Sequence, residues 1–338
     1  MKALCIHQPR RCSIIEKPTP HPSQGEVLLR LKAVAFCGSD LSTFQGRNPM
    51  VNYPRVPGHE ISGIVESLGE GINDLSIGSA VTVIPYTACG RCRSCKNGRT
   101  NACRENQTLG VQRDGAMAEY LVVPRNKILV TEGLDGLSLA MVEPLTVGFH
   151  AVDRAEVKCN DKVVVFGCGM IGLGAIAGAA KRGAQVLAVD LSDRKLNTAK
   201  SLGAELGLLP TEPNFLEKIS TWSHGDMADV VIEAVGQPST YRSALEVAGF
   251  SSRVCCIGYA NEDVPLPTKL IVQKELDLRG SRNAQMKNFE EVIQYLKSGA
   301  VPIDLLISKK VNLEDSPEAL EQWSKDPSSI TKLMVEFP

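Results

Sequence analysis

The chain has 338 residues, which suggests about two domains, and its 37 basic and 38 acidic residues leave a formal net charge of −1. This balance argues against a nucleic-acid-binding protein, which usually carries a basic excess on one domain. A hydrophobic fraction of 43% with 22% charged residues is typical of a soluble globular protein and excludes a disordered one.

No targeting or membrane segment is predicted. The first twenty residues contain no apolar core of signal-peptide length. Residues 163–180 are uncharged and long enough to cross a membrane, but their five glycines and β-branched start favour a strand followed by a glycine-rich turn. We therefore predict a cytoplasmic protein without a membrane partner. In that compartment, the cluster among its eleven cysteines indicates metal binding or catalysis rather than disulfides.

The first part of the chain is predicted to be rich in short strands. From Val27 to Val34, apolar residues alternate with Arg30 and Lys32, as in a half-buried strand. Further short apolar runs, bounded by Gly, Pro and Asp, lie at 61–65, 80–84 and 120–123. This spacing predicts an all-β barrel or sandwich.

The middle of the chain alternates strands with helices. Strand-like runs lie at 162–166, 185–189, 229–234 and 253–257. A small-residue helix is predicted from about Met170 to Arg182, and Ser192 and Gly203 are expected to begin and end the next one. This rhythm predicts parallel βαβ units. Near the C-terminus, helical spacing places four apolar residues on one face: Phe289, Val292, Ile293 and Leu296.

A dinucleotide-binding motif follows the first of these strands, in the segment Gly167-Cys168-Gly169-Met170-Ile171-Gly172. Its glycines allow a tight turn, close approach to a pyrophosphate and close helix–strand packing. Asp190 ends the next strand, where a carboxylate bonds a ribose 2′-hydroxyl and repels a 2′-phosphate. The pattern predicts NAD rather than NADP, a preference that Arg194 and Lys195 reduce. The alternative is an ordinary α/β turn.

Four cysteines, at positions 89, 92, 95 and 103, lie within fifteen residues. Four thiolates at this spacing fit a tetrahedral Zn²⁺ ion, which would stabilise a loop too polar to form its own core. Such a site offers no position for a substrate, so its predicted role is structural. The alternative is a redox Cys-x-x-Cys pair.

A third group of residues is less compact in sequence. It comprises Cys37-Gly38-Ser39-Asp40, then Gly58-His59-Glu60, then Glu143-Pro144. Each segment alone fits an ordinary structural role in the core, a loop or a helix start. Together with the two other motifs, they predict a second, open metal site.

In this order and spacing, the motifs resemble the zinc-dependent medium-chain dehydrogenase/reductase family over essentially the whole chain. The resemblance implies an α/β fold, with a Rossmann domain inserted into a GroES-like catalytic domain. The implied boundaries are 1–144 for the catalytic domain, with its zinc lobe at 86–104, then 145–281 for the NAD-binding domain and 282–338 for the return to the catalytic domain. Glu143-Pro144 is similar to the polyol and sugar dehydrogenase branch.

The resemblance also implies roles for individual residues. The catalytic zinc is assigned to Cys37, His59 and a glutamate, which is Glu60, Glu143 or both in alternation. Asp40 would orient His59, and Ser39 would accept the proton of the substrate hydroxyl. Many relatives carry a histidine as a final proton carrier where this chain has Ser42, so water is the expected carrier here. The implied dinucleotide-binding residues are Gly167, Gly169, Met170, Ile171, Gly172, Asp190, Arg194, Lys195, Gly258 and Ser281.

Several segments, including 53–56, 83–86, 98–101 and 280–284, are similar to bacterial dehydrogenases that oxidise L-galactonate or L-gulonate at carbon 5. This similarity predicts NAD-dependent oxidation of a sugar acid with two zinc ions per chain, in a homodimer or homotetramer. A guanidinium matches a carboxylate well, so the substrate carboxylate is expected at an arginine. Among the arginines, Arg282 is favoured, because it follows a predicted strand end that faces the cofactor cleft. The predicted substrate residues are Arg282, Asn283, Arg55, Arg113 and Phe44, and Arg47 is a further candidate.

Two alternatives remain at this point. A polyol, polyol-phosphate or threonine-type dehydrogenase would share the zinc and dinucleotide motifs. A non-catalytic redox sensor would share the nucleotide-binding fold, but it has no need of an open zinc site.

Overall fold

The computed structural model describes residues 1–260 and 262–338. Its strands are β1 (Lys2–Gln8), β2 (Arg11–Glu16), β3 (Glu26–Phe36), β4 (Glu60–Leu68), β5 (Ala80–Val83), β6 (Tyr86–Thr87), β7 (Gln107–Thr108), β8 (Tyr120–Pro124), β9 (Ile128–Val130), β10 (Lys162–Phe166), β11 (Gln185–Val189), β12 (Leu206–Leu208), β13 (Ala228–Glu233), β14 (Ala248–Cys256), β15 (Asp277–Gly280), β16 (Lys309–Asn312) and β17 (Leu333–Glu336).

The helices are α1 (Gly38–Phe44), α2 (Arg93–Lys96), α3 (Gly136–Ala140), α4 (Val142–Arg154), α5 (Met170–Lys181), α6 (Asp193–Ser201), α7 (Phe215–Trp222), α8 (Pro238–Val247), α9 (Thr268–Gln273), α10 (Met286–Lys297), α11 (Ile303–Leu306) and α12 (Ser316–Lys325). None of the helices in these two described ranges is long and apolar enough to cross a membrane. The chain divides into two compact units. The first comprises Met1–Glu143 and Phe289–Pro338, and the second Pro144–Asn288.

The second unit contains a six-stranded parallel sheet in the order β12-β11-β10-β13-β14-β15. This is the strand order of a Rossmann fold, and it confirms the predicted parallel βαβ units. The uncharged segment 163–180 forms the end of β10, a turn and most of α5, as its glycines and β-branched residues predicted. Ser192 is the N-cap of α6, also as predicted.

The first unit is built on a seven-stranded sheet in which β16-β17-β3-β4-β5-β9 are neighbours and β8 also pairs with β3. All pairs are antiparallel except β16 with β17. The predicted alternation holds in β3, where Arg30 and Lys32 are half-buried between buried apolar residues. The last two strands of the chain, β16 and β17, thus join the sheet that contains β3 and β4.

Each unit has its own hydrophobic core. Apolar residues of β3, β4, β5 and α12 contribute to the core of the first unit, and those of β10, β11, β13 and α8 to the core of the second. Burial at about 25 cal/mol per Å² of apolar surface is the main favourable contribution to folding of each unit. In each unit the hydrophobic core therefore holds the sheet in place, and with it the strand ends and the side chains that follow them.

Candidate active site

A buried group of potential metal ligands lies where β3 ends and β4 begins. Cys37 directly follows β3, and His59 directly precedes β4. The antiparallel register pairs Ala35 with Glu60, so the two chain segments meet at this point. One ligand atom each from Cys37, His59 and Glu60 lies within 4.8 Å of the others. Thiolate, imidazole and carboxylate are ligands that Zn²⁺ accepts, so the residues fit a zinc ion.

Glu143 lies at the start of α4 and is buried. It is outside the group of atoms that all lie within 4.8 Å, and it accepts a hydrogen bond from the hydroxyl of Tyr86. Burial, and then the charge of Glu143, raise the pKa of Tyr86 well above its ordinary value. Sequence reasoning missed Tyr86, because a tyrosine in a two-residue strand carries no signal of its own.

Negative charge dominates the electrostatics of this group. Burial disfavours a charged imidazole, but neighbouring negative charges, above all that of Cys37, raise the pKa of His59 well above its ordinary value. Asp40 and Glu143 act in the same direction. A buried site that stabilises added positive charge to this extent is suited to a divalent cation.

Glu60 is also bound by a lysine that the sequence did not reveal. Both carboxylate oxygens of Glu60 accept hydrogen bonds from Lys332 Nζ, each at 2.6 Å. The ammonium group also donates to the carbonyl of Phe36 at 3.2 Å. Burial raises the pKa of Glu60 to about 7, and the Lys332 charge opposes this. The pair therefore holds Glu60 at the end of β3, beside the other ligands.

We expect Lys332→Met to destabilise the first unit strongly. The side chains of Lys332 and Glu60 are 3% and 1% exposed, so the variant leaves the Glu60 carboxylate buried without its charged partner. Breaking a buried ion pair from one side costs about 3–5 kcal/mol, whereas apolar replacement of both partners is often neutral. Urea unfolding should show this loss for Lys332→Met and recovery of much of it when Glu60→Leu is added. Equal instability of both variants would contradict the account.

Asp40 acts on the backbone of the ligand-bearing segments. Its Oδ2 accepts from the amide of Cys37 at 2.8 Å, and its Oδ1 accepts from the amide of Gly58 at 3.2 Å. Asp40 thus binds the residue before His59, and its charge raises the pKa of His59. The orientation of His59 by Asp40 stays a prediction. The His59 Nδ1 atom has no hydrogen-bond partner within 1–260 and 262–338.

Two further residues near α1 were predicted to contact the substrate. The hydroxyl of Ser39 is buried and lacks a hydrogen-bond partner among the described residues, so it is available to a bound molecule. Phe44, in contrast, is only 3% exposed and belongs to the hydrophobic core of the first unit. Its ring packs in that core, and its contact with the substrate stays a prediction.

The four clustered cysteines converge as predicted. One Sγ atom from each of Cys89, Cys92, Cys95 and Cys103 lies within 4.8 Å of the others, and all four are free thiols. Cys92 Sγ lies 3.5 Å from that of Cys95 and 3.9 Å from that of Cys103. A tetrahedral zinc ion with Zn–S bonds of about 2.3 Å separates its sulfurs by about 3.8 Å. The geometry fits a zinc ion.

Backbone amides around these cysteines favour the ionised thiolate. Amides of Arg104 and Cys95 lower the pKa of Cys92 to about 6. The amides of Cys89 and Glu105 also donate to Cys103 Sγ, at 3.2 and 3.3 Å. Since thiolates are the form that binds zinc, these amides favour metal binding at Cys92. Burial, and then the sulfurs of Cys92 and Cys103, raise the pKa of Cys95 to about 12.

The glycine-rich motif forms the turn from β10 into α5. Gly167 has a φ of 92°, which favours glycine. A Cβ on Gly172 would lie 1.7 Å from the carbonyl oxygen of Gly167, so only glycine permits this close packing. A Cβ on Gly169 would meet nothing within 4 Å. The turn is therefore open at the N-terminus of α5, where a phosphate fits, and Met170 and Ile171 begin the helix there.

Asp190 directly follows β11 and faces this turn. Its Oδ2 accepts from the amide of Cys168 at 2.7 Å, and its Oδ1 accepts from the amide of Ser192 at 3.1 Å. Each carboxylate oxygen retains a lone pair for a ribose hydroxyl. Arg194 is exposed and Lys195 is half-buried in the first turn of α6.

We expect Asp190→Asn to raise the KM for NAD⁺ about tenfold, because a hydrogen bond to a charged group contributes about 1.5–3 kcal/mol. It should also narrow the preference for NAD⁺ over NADP⁺. Asp190→Asn removes the charge but keeps one oxygen that accepts a backbone hydrogen bond, whereas Asp190→Ala removes both oxygens. Comparison of the two variants therefore separates the effect of the charge from the effect of the turn geometry. Initial rates with both dinucleotides test this. If the unmodified enzyme prefers NADP⁺, Arg194 and Lys195 become the determinants.

The remaining predicted residues of the second unit follow β14 and β15. Gly258 lies two residues after β14, and Ser281 directly follows β15. The Ser281 hydroxyl is buried without a hydrogen-bond partner in the described ranges. Arg282 and Asn283 come next and are half-buried. Because carboxyl ends of parallel strands share one edge of a sheet, these residues lie at the same edge as the glycine-rich turn.

Two of the candidate arginines of the first unit have protein partners. Arg55 lies 3.3 Å from Asp114 and also donates to the carbonyl of Asn52. Arg47 donates to the side chain of Gln45. The prediction that Arg55 holds the substrate is therefore weakened by its ion pair, whereas Arg113 has a different environment, described below.

Comparisons with known proteins agree with this geometry. The family model of the alcohol dehydrogenase GroES-like domain matches residues 23–132, and that of the zinc-binding dehydrogenases matches residues 171–298. The chain is 35% identical to L-galactonate-5-dehydrogenase of Escherichia coli K12, covering 100% of this chain and 99% of the relative. It is 31% identical to sorbitol dehydrogenase of Bacillus subtilis, covering 99% and 97%.

A solved structure also matches over the full length. An alcohol dehydrogenase of Escherichia coli CFT073, crystallised with NADH, superimposes with a TM-score of 0.92 at 31% identity, covering 100% of this chain and 99% of that one. Together with the family models, this match confirms the predicted fold class, a Rossmann domain combined with a GroES-like domain.

Proposed function

This chain belongs to the zinc-dependent medium-chain dehydrogenases, oxidoreductases that act on CH–OH groups with NAD(P), and we propose that it oxidises a secondary alcohol of a sugar acid with NAD⁺. The proposed substrates are of the L-galactonate or L-gulonate type. The observation that carries the proposal is the buried group formed by Cys37, His59 and Glu60. The similarity to L-galactonate-5-dehydrogenase supports the substrate class.

The reacting site is proposed to hold one zinc ion through Cys37 and His59, with Glu60, Glu143 or both in turn. A bound zinc ion supplies a Lewis acid that polarises the substrate oxygen and lowers the pKa of its hydroxyl. Lys332 donates a hydrogen bond to Glu60, and Tyr86 donates one to Glu143. The charge of Lys332 opposes the effect of burial and of Glu143 on the pKa of Glu60.

Ser39 is proposed to accept the proton of the substrate hydroxyl. A serine hydroxyl both accepts and donates, so it can pass that proton on. Its Oγ atom is buried and has no hydrogen-bond partner in the described parts of the chain, and its carbonyl is bonded by Thr43 at 2.8 Å, which fixes the first turn of α1. Since Ser42 provides no titratable base, water is proposed to remove the proton.

The Rossmann unit is proposed to bind NAD⁺, which accepts the hydride from the carbinol carbon. Gly167, Gly169 and Gly172 shape the turn for the pyrophosphate, and the open space at Gly169 supports this assignment. Asp190 is proposed to bond the adenosine ribose. Gly258 and Ser281 are further proposed NAD⁺ contacts at the same sheet edge.

A screen of NAD⁺ reduction over aldonates, alditols, polyol phosphates and L-threonine tests the proposal. We expect the highest kcat/KM for an aldonate. A neutral polyol is the second candidate, favoured by the similarity to sorbitol dehydrogenase. Turnover of an alditol or of threonine above that of every aldonate would contradict the sugar-acid class while leaving the family assignment intact.

A further inference from the structure

Two half-buried cations of the first unit lack a counter-ion. Arg113 and Lys127 make no side-chain hydrogen bond or ion pair with any residue in 1–260 or 262–338, and Arg113 Nε is fully enclosed. Burial lowers the pKa of Arg113. Burial, and then the positive charge of Arg113, lower the pKa of Lys127. The backbone of Lys127 bonds Ile84 and the loop that carries Arg113 bonds the next residue, Pro85, so the two cations lie on adjoining segments.

The acidic residues nearby are already paired elsewhere. Asp114, next to Arg113, binds Lys17 at 2.9 Å and Arg55 at 3.3 Å. Arg125, two residues before Lys127, binds Asp74 at 2.9 Å. The lack of an acidic partner is therefore specific to Arg113 and Lys127, since the other cations named here are paired.

Backbone contacts tie both cations to segments of the candidate zinc site. The carbonyl of Lys127 accepts from Ile84 at 2.8 Å, and the carbonyl of Pro85 accepts from Leu109 at 3.1 Å, at the start of the loop that carries Arg113. Tyr86, the partner of Glu143, comes next in this segment. Both cations therefore lie on segments bonded to the residues just before Tyr86, whose hydroxyl binds Glu143.

The Arg113 loop is also packed on the segment before His59. A Cβ on Gly115 would lie 2.3 Å from the carbonyl oxygen of Gly58, so backbone meets backbone at this point. The amide of Ala116 donates to the same carbonyl at 2.9 Å. Arg113 thus extends from a loop bonded directly to the ligand-bearing turn.

We propose that Arg113 and Lys127 form a subsite for the anionic end of the substrate, in the first instance the carboxylate of a sugar acid. Two like charges in a partly dry environment are unfavourable, and a bound anion removes that repulsion while accepting hydrogen bonds from both. A guanidinium fork matches a carboxylate or a phosphate monoester, and the ammonium adds a second charge. This inference rests on the proposed function and assigns the carboxylate to Arg113 and Lys127 rather than to Arg282.

The test compares Arg113→Gln, Lys127→Gln and the double variant with Arg282→Ala. Arg11→Gln, at an exposed arginine of β2, is the matched control. Substrates are L-galactonate, the matching alditol and a hexitol phosphate. Calorimetric titration of L-galactonate into each protein without NAD⁺ gives a binding readout that does not depend on turnover.

For Arg113→Gln we expect about a tenfold or larger loss in kcat/KM and in affinity for L-galactonate, a larger loss in the double variant and no change for the alditol. If the double variant keeps its preference for the aldonate and Arg282→Ala loses it, the proposed subsite is overturned. The sugar-acid proposal then still stands. A hexitol phosphate preferred over every aldonate, and lost in Arg113→Gln, would keep the anion subsite and overturn the sugar-acid proposal. Best turnover of the neutral alditol, unaffected by either substitution, would overturn both.

Discussion

Replacing His59 by alanine is expected to abolish alcohol oxidation while leaving both units folded. His59 is 5% exposed and lies within 4.8 Å of the ligand atoms of Cys37 and Glu60. A Lewis acid contributes several kcal/mol to the stabilisation of developing charge, and each factor of ten in rate corresponds to about 1.4 kcal/mol. We therefore expect kcat to fall about a thousandfold or more. Initial rates of NADH formation measure this loss.

The control for this variant is His21→Ala, at an exposed histidine of the same unit. It should retain full activity. Circular dichroism and binding of NADH should be unchanged in both variants, since the Rossmann unit folds around its own core. An active His59→Ala enzyme would show that the group at the β3–β4 junction is not the reacting site.

Replacing Cys95 by serine is expected to unfold the lobe from Cys89 to Cys103. The four cysteines are surrounded mainly by exposed polar residues. The only α-helix of the lobe, within the described chain, is the four-residue α2, which has no buried residue. The lobe therefore depends on its metal for stability. We expect the melting temperature to fall by about 10 °C, which corresponds to a few kcal/mol in a chain of this size, and proteolysis to cut the lobe.

Cys159→Ser is the matched control, because Cys159 is an exposed free thiol outside both metal groups. It should leave the melting temperature and the proteolytic pattern unchanged. A stable Cys95→Ser variant with an intact lobe would contradict the structural role of the cysteine cluster and would favour the redox interpretation of the Cys-x-x-Cys pair.

Much of the fold could be predicted from local patterns. The strand, turn and helix around Gly167 are each specified within twenty residues, because β-branched residues, glycines and small residues have different backbone preferences. The four cysteines are equally local, and their convergence was predicted correctly. The proposed ligands Cys37 and His59 needed the family resemblance, since each residue alone has an ordinary structural interpretation.

Contacts between distant segments could not be predicted from such patterns. Lys332 and Glu60 are separated by 272 positions, and nothing in the sequence near Lys332 distinguishes it from a lysine at the start of an edge strand. For Phe44, helical periodicity does not show whether the aromatic ring meets the core, a ligand or both. Lys127 was missed because an absent counter-ion is a property of three-dimensional neighbours.

The zinc content of the purified protein is the most direct test of the central claim that one metal site reacts and the other supports the fold. Elemental analysis after exhaustive dialysis should find two zinc ions per chain in the unmodified protein. It should find one in His59→Ala, which is folded and inactive, and one in Cys95→Ser. A single zinc ion per chain in the unmodified protein would contradict this account.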